Sequence, residues 1–186
     1  TAVLAQNGLP PELIYLALIE SGLSNRAKSS AGAVGFWQFM PGTGAMYGLR
    51  RDYWVDERRD LERATQAACA YLKRLYAEFN DWALVLASYN SGEGRVRRQM
   101  RTTMHDDYWN HTLPRETSDY VPKFIAAVKI GENPEAFGFT SPPRRPLGWE
   151  RIPVSHATDL DLVATCAGVD AATVEALNPH LLRGST

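Results

Sequence analysis

Residues Leu13 to Ile19 form an uninterrupted run of seven apolar residues, and Glu20, Ser21 and Gly22 follow directly. A helix that is apolar on every side must be buried, and a run this short falls far below the roughly 20 residues that cross a bilayer. The run therefore predicts an internal helix and excludes a membrane span there. Pro10-Pro11-Glu12 opens it, with proline where a missing N–H costs nothing and a carboxylate at the positive end of the dipole. Gly22 closes it.

Apolar spacing near 3.6 continues to Ile130 without a convincing run of alternating residues, which predicts a mainly α fold. Asp60 is expected to cap a long helix whose Leu61, Ala64, Ala68, Leu72, Leu75 and Phe79 make one apolar stripe. Asp81 caps a third helix, Trp82 to Ser91, stopped by Gly92-Glu93-Gly94. A fourth is expected from Thr117 or Ser118 to Ile130, with Pro122 in its first turn. Between the first two helices, Ala31 to Gly48 holds five glycines, a stretch expected to bend repeatedly as a loop.

A chain of 186 residues buries about 70% of its unfolded surface, enough for one main domain and a small appendage. Four prolines between Thr140 and Pro153 mark a boundary. Residues 1–139 are thus expected to form the main domain, 140–153 a proline-rich linker and 154–186 a small module. That module reads as two short helices, Asp159 to Ala167 and Asp170 to Leu177, separated by Gly168. It is too small for a core of its own, so it is expected to pack on the main domain or belong to a larger unit.

Basic residues number 20 and acidic residues 21, so no strong field points toward nucleic acid or an anionic membrane. Both cysteines, Cys69 and Cys166, sit among small apolar residues and are expected to be buried free thiols. The four histidines lack ligand spacing, and no metal site is expected. The start, Thr1-Ala2-Val3-Leu4, has neither a basic leader nor a small-residue cleavage site, so any targeting segment is expected either upstream of this sequence or not at all.

Glu20 stands where burial meets a helix end. Desolvation and the negative end of the dipole both favour its protonated form, the requirement for a general acid near neutral pH. The plainer alternative is a frayed-end carboxylate, exposed or paired with Arg26. Downstream, Gly35-Phe36-Trp37-Gln38 offers an amide beside small residues, suited to a ligand that approaches the backbone; an ordinary turn with Trp37 packed inward fits equally. Tyr89 and Asn90 sit beside a glycine break as a ligand wall, or else as a core residue and a cap. Arg95, Arg97, Arg98 and Arg101 form a basic cluster. It suits carboxylate partners or, more simply, a solvated helix face.

Taken in order, Glu20-Ser21, Ala31-Gly32-Ala33-Val34-Gly35-Phe36-Trp37-Gln38, Ala87-Ser88-Tyr89-Asn90-Ser91-Gly92 and Glu116-Thr117-Ser118-Asp119-Tyr120-Val121 resemble the motifs of the family 1 lytic transglycosylases. The resemblance covers most of residues 8 to 130. It departs from the commoner pattern at Phe36-Trp37, where many members have Leu-Met, and at Ser88, where alanine is usual. It implies a lysozyme-like fold of the goose-type branch, acting on peptidoglycan glycan strands without cofactor or metal. It also implies cleavage of the β-1,4 bond between N-acetylmuramic acid and N-acetylglucosamine by one carboxyl group, Glu20. That group acts first as acid and then as base, and leaves a 1,6-anhydro product.

By position, Ser29 and Tyr120 match residues that orient the reacting sugar, Trp37, Gln38, Tyr89 and Asn90 match groove residues, and Glu116 holds the Tyr120 segment. The resemblance further implies a monomer in the periplasm of a Gram-negative bacterium, associated with the outer membrane through segments outside this chain. Residues 154–186 resemble the helical part of a peptidoglycan-binding LysM module lacking its final strand. Two competing readings remain: a hydrolytic muramidase using Asp52, Asp56 or Asp60 to hold a water, and a peptidoglycan-binding protein without catalysis.

Overall fold

The computed structural model describes residues 2–140 and 149–186, so positions 141–148 of the expected linker lie outside the described residues. The main body is helical. In chain order it contains α1 (Ala2–Gln6), α2 (Ile14–Ser21), α3 (Pro41–Met46), α4 (Leu61–Phe79), α5 (Trp82–Ser91), α6 (Glu93–Thr103) and α7 (Arg115–Glu132). α8 (Leu160–Ala167) and α9 (Ala171–Leu177) follow. Short 3-10 turns at Pro11–Leu13, Glu57–Arg59, Tyr108–Asn110 and Pro134–Phe137 join or extend them.

The long α4 is the axis of the core. Asp60 caps it by accepting from the backbone N–H groups of Glu62 and Arg63, both at 2.9 Å. Ala64, Ala68, Cys69, Leu72 and Leu75 are buried along one side, against α1 and α5. Leu61, expected to start this stripe, is exposed, which corrects that expectation. Asp81 caps α5 through the N–H of Leu84 at 2.8 Å, and Leu84, Val85, Leu86 and Ala87 are all buried.

α2 lies against α7, closely enough that a Cβ added at Gly131 would meet the Tyr15 hydroxyl at 2.0 Å. Leu16 and Ala17 are buried, whereas Leu18 is 38% exposed. The expectation of burial on every side is thus corrected: one face of this short helix has no neighbour. Gly22, at φ 60°, ends it in the left-handed conformation.

Four elements depart from the sequence reading, among them α1, for which no helix was expected. α6 follows the glycine break directly, and α3 forms inside the glycine-rich stretch despite Gly42 and Gly44. α7 starts at Arg115, which makes Pro122 its eighth residue rather than a first-turn residue. An interior proline leaves the carbonyl four residues earlier without its helical donor. That carbonyl belongs to Ser118. Buried Tyr108 supplies the missing donor, sharing its hydroxyl proton between the carbonyls of Thr117 and Ser118, each at 3.0 Å.

The C-terminal residues have a small core of Leu160, Ala164 and Val174. The two short helices separated by Gly168 form as expected, each starting one residue later than expected because Asp159 and Asp170 stand before them as caps. The expected lack of a closing strand is modified: residues 184–186 return along 158–160, with Leu160 N–H to Gly184 O at 2.8 Å and Thr186 N–H to Thr158 O at 2.9 Å. A second pairing ties this piece to the main body, with Asp56 N–H to His180 O at 2.9 Å and Leu182 N–H to Trp54 O at 2.8 Å. Arg151 reaches Glu62 at 2.5 Å. Cys69 is buried and Cys166 is exposed, both as free thiols, which corrects the expectation that both are buried. Among the described residues no helix is long and apolar enough to cross a membrane.

Candidate active site

Glu20 ends α2 half-buried, with Ser21 beside it as the fastener of the local backbone. The Ser21 hydroxyl lies 3.0 Å from the Ala17 carbonyl and 2.8 Å from the Phe36 carbonyl, so the end of α2 is tied to the glycine-rich loop. From α7, buried Tyr120 donates its hydroxyl to Oε1 of Glu20. Burial pushes the Glu20 carboxyl above the usual carboxylate range, the Tyr120 hydrogen bond draws it partly back, and the negative charge of Glu116 pushes it up again. The net direction is upward. Among the described residues no cation pairs with Glu20, and Arg26 does not reach it.

Tyr89 comes in from α5. Its hydroxyl donates to the Trp37 carbonyl at 2.7 Å, and burial together with the nearby Glu20 charge holds its phenol well above the ordinary value. Asn90, next on the helix, reaches Glu116 on α7 at 3.5 Å. Five of the nominated residues, Glu20, Tyr89, Asn90, Glu116 and Tyr120, are therefore brought together from three helices.

The loop side is built differently. Ser29 accepts from the Ala33 N–H at 3.0 Å, closing a turn around Gly32. Gln38, at φ 48°, spends its amide nitrogen on the carbonyls of Gly35 at 2.7 Å and Ala27 at 3.3 Å. Its contribution here is to lock the loop. Trp37 requires a correction: its side chain is 0% exposed and its indole N–H donates to Thr65 at 2.9 Å, so it is a core residue behind the site. Only its backbone carbonyl serves the wall, as the acceptor for Tyr89.

Arg58 was not singled out in the sequence, yet it clamps this loop. It is buried, forms a two-pronged pair with Asp56 at 2.7 and 2.8 Å, and donates to the carbonyls of Gly32 at 3.0 Å and Phe39 at 2.9 Å. Gly35, at φ +84°, passes so close that an added Cβ would lie 1.9 Å from the Arg58 carbonyl oxygen. The Asp-x-Arg spacing beside a glycine-rich loop was the available signal. A second unread layer backs Tyr89: the Tyr71 ring lies 5.3 Å from it, and Arg74 joins Glu93 at 2.6 Å and the Tyr47 hydroxyl at 2.7 Å.

The other nominated carboxylates are engaged in structure. Asp56 is held by Arg58, Asp60 caps α4, and Asp52 accepts from the N–H groups of Trp54 and Val55. Among the described residues no group of three His, Cys, Asp or Glu side chains is arranged to hold a metal ion.

The family model described as the transglycosylase SLT domain matches residues 2–112. The membrane-bound lytic murein transglycosylase D of Escherichia coli K12 is 36% identical over 189 residues, covering 97% of this chain and 41% of the relative. The peptidoglycan transglycosylase gp16 of Escherichia phage T7 is 31% identical over 142 residues, covering 73% of this chain and 11% of that protein. Among solved structures, an inactive mutant of the lytic transglycosylase Slt from Pseudomonas aeruginosa superposes with a TM-score of 0.59 at 28% identity, covering 73% of this chain and 24% of that one. The 70 kDa soluble lytic transglycosylase of Escherichia coli gives 0.55 at 27% identity, covering 64% and 21%. The chain spans less than half the length of these relatives. With a helical, lysozyme-like fold and a family match over most of the main body, the chain belongs to the transglycosylase SLT domain family.

Proposed function

We propose that the chain is the catalytic part of a peptidoglycan lytic transglycosylase in which Glu20 serves as acid and then base. The observation that carries this reading is the Glu20 carboxyl itself, raised by burial and bonded by a neutral phenol rather than by a cation. That upward direction favours the protonated form, which is the form a general acid needs. Glu20 protonates the glycosidic oxygen as the bond from the muramoyl anomeric carbon breaks. The resulting carboxylate takes the proton of the muramoyl 6-hydroxyl as that oxygen bonds to the anomeric carbon. The carboxyl is restored and no water is consumed.

Tyr120 supports both halves, since its hydroxyl stabilises the carboxylate that forms between them. Tyr89, Asn90 and Glu116 fit the wall that holds the neighbouring sugars, with Ser29 and Gln38 in the loop opposite. The domain reading is retained as residues 1–139 catalytic, 140–153 linker and 154–186 LysM-like. The setting proposed is the periplasm of a Gram-negative bacterium, at the outer membrane.

A hydrolytic muramidase would need a second carboxylate to activate water. Asp52, Asp56 and Asp60 are each committed to backbone or arginine partners, which favours the lytic reading. Mass spectrometry of muropeptides released from purified sacculi separates the two. Products lighter by one water support transglycosylation, and reducing-end products refute it.

A further inference from the structure

α6 carries four arginines, Arg95, Arg97, Arg98 and Arg101, against one acid, Glu93. Two of these five charges are already paired. Arg97 joins Glu78, and Glu93 is taken by Arg74 and the Tyr71 hydroxyl. Arg95, Arg98 and Arg101 have no carboxylate within 4.0 Å among the described residues, and all three are exposed.

Their spacing puts them on one face. With 3.6 residues per turn, positions 95, 98 and 101 run as a stripe on the side opposite buried Val96 and the inward-packed Met100. Such a stripe costs helix stability. Like charges at i, i+3 and i, i+4 repel, and Arg95 lies in the first turn, at the positive end of the dipole. A chain with nearly balanced charge gathers cations here, and the two nearby acids, Glu78 and Glu93, are engaged by Arg97 and Arg74, which suits an anionic partner from outside.

The stripe begins a few residues after the site's Asn90. Helical side chains point back toward the N-terminus, and Nη1 of Arg98 lies 3.8 Å from where a Gly94 Cβ would stand. That end of α6 abuts Gly92 and so adjoins Asn90 of the candidate wall. The helix is packed on α5, the element that carries Tyr89 and Asn90.

We propose that Arg95, Arg98 and Arg101 form a binding strip for the carboxylates of peptide stems hanging from the glycan strand. This rests on the peptidoglycan reading above and adds to it a preference for peptide-bearing over bare glycan. Guanidinium groups suit the task because they meet carboxylates with paired donors and stay charged at every relevant pH.

The test is co-sedimentation of the full chain with intact sacculi and with sacculi stripped of peptides by an amidase, at low and high salt. The wild type binds intact sacculi roughly tenfold more tightly, and salt erases the difference. The triple variant R95Q/R98Q/R101Q, changed only at exposed positions, loses the preference and binds stripped glycan like the wild type.

An absent preference in the wild type overturns the proposal, as does a triple variant that keeps it or weakens equally on both substrates. A variant that loses only binding to anionic lipid vesicles also overturns it, in favour of a membrane surface. Because binding is read without cleavage, a chain that shows the preference yet never cuts glycan refutes the proposed function and leaves the strip standing.

Discussion

The Tyr120 hydroxyl on α7 donates a hydrogen bond to Oε1 of Glu20 at the end of α2, across 100 positions of sequence. This bond lowers the Glu20 pKa while burial raises it, and burial prevails. Removing the hydroxyl leaves burial and Glu116 unopposed. Tyr120→Phe is therefore expected to move the Glu20 titration upward and to cost about tenfold in kcat, since the carboxylate formed in mid-reaction loses its donor. A pH–rate profile reads both effects; an unshifted profile contradicts the assignment.

Glu20 also links stability to pH. A carboxyl whose folded pKa is raised destabilises the fold as pH climbs from its unfolded value through its folded one, and has no such effect at lower pH. Glu20→Gln is thus expected to raise Tm above neutral pH, on the order of 2–4 °C, and to leave it unchanged near pH 3. Thermal melts at the two pH values check this. An equal gain at both points to packing instead.

Gly35 is fixed by the Arg58 backbone. At φ +84°, and with a Cβ position 1.9 Å from a carbonyl oxygen, Gly35→Ala adds strain to a clash that no side-chain rotation relieves. The expected loss is at least about 2 kcal/mol in chemical denaturation. It should come with reduced glycan cleavage, because the loop carries Ser29 and Gln38.

Tyr108 stands in for a donor that Pro122 lacks. Tyr108→Phe leaves the Thr117 and Ser118 carbonyls without this donor and should cost about 1–3 kcal/mol. Pro122→Ala restores a backbone N–H facing Ser118, so the double variant should recover part of the loss. A double-mutant cycle with no coupling contradicts this account.

Much of this was legible in the chain. Asp60 and Asp81 each cap the helix they precede, as read, because a short carboxylate before an apolar period has a favourable local role, and Asp159 and Asp170, read as first helical residues, take the same role one position earlier. The rise in the Glu20 pKa was legible too, since an apolar run that ends in a carboxylate buries it. What stayed hidden depends on contacts between distant segments. Which way Trp37 faces, left open by the sequence, is decided where its indole meets Thr65 on α4, and Pro122 sits deep in α7 where Tyr108 supplies the missing donor. Arg58 becomes the loop's clamp only once the fold brings Gly32 and Phe39 to its guanidinium. Exposed Leu18 shows the limit of periodicity, which tells which residues can be buried but not whether a neighbour arrives.

One carboxyl, Glu20, performs the chemistry in the proposed function. Its most direct test is Glu20→Gln measured for both sacculus binding and muropeptide release. The amide keeps the shape and the hydrogen-bonding reach but neither gives nor takes the proton. Binding is expected near the wild-type level, with release slowed by at least about 10³-fold. Release at the wild-type rate by a variant that binds normally would contradict it.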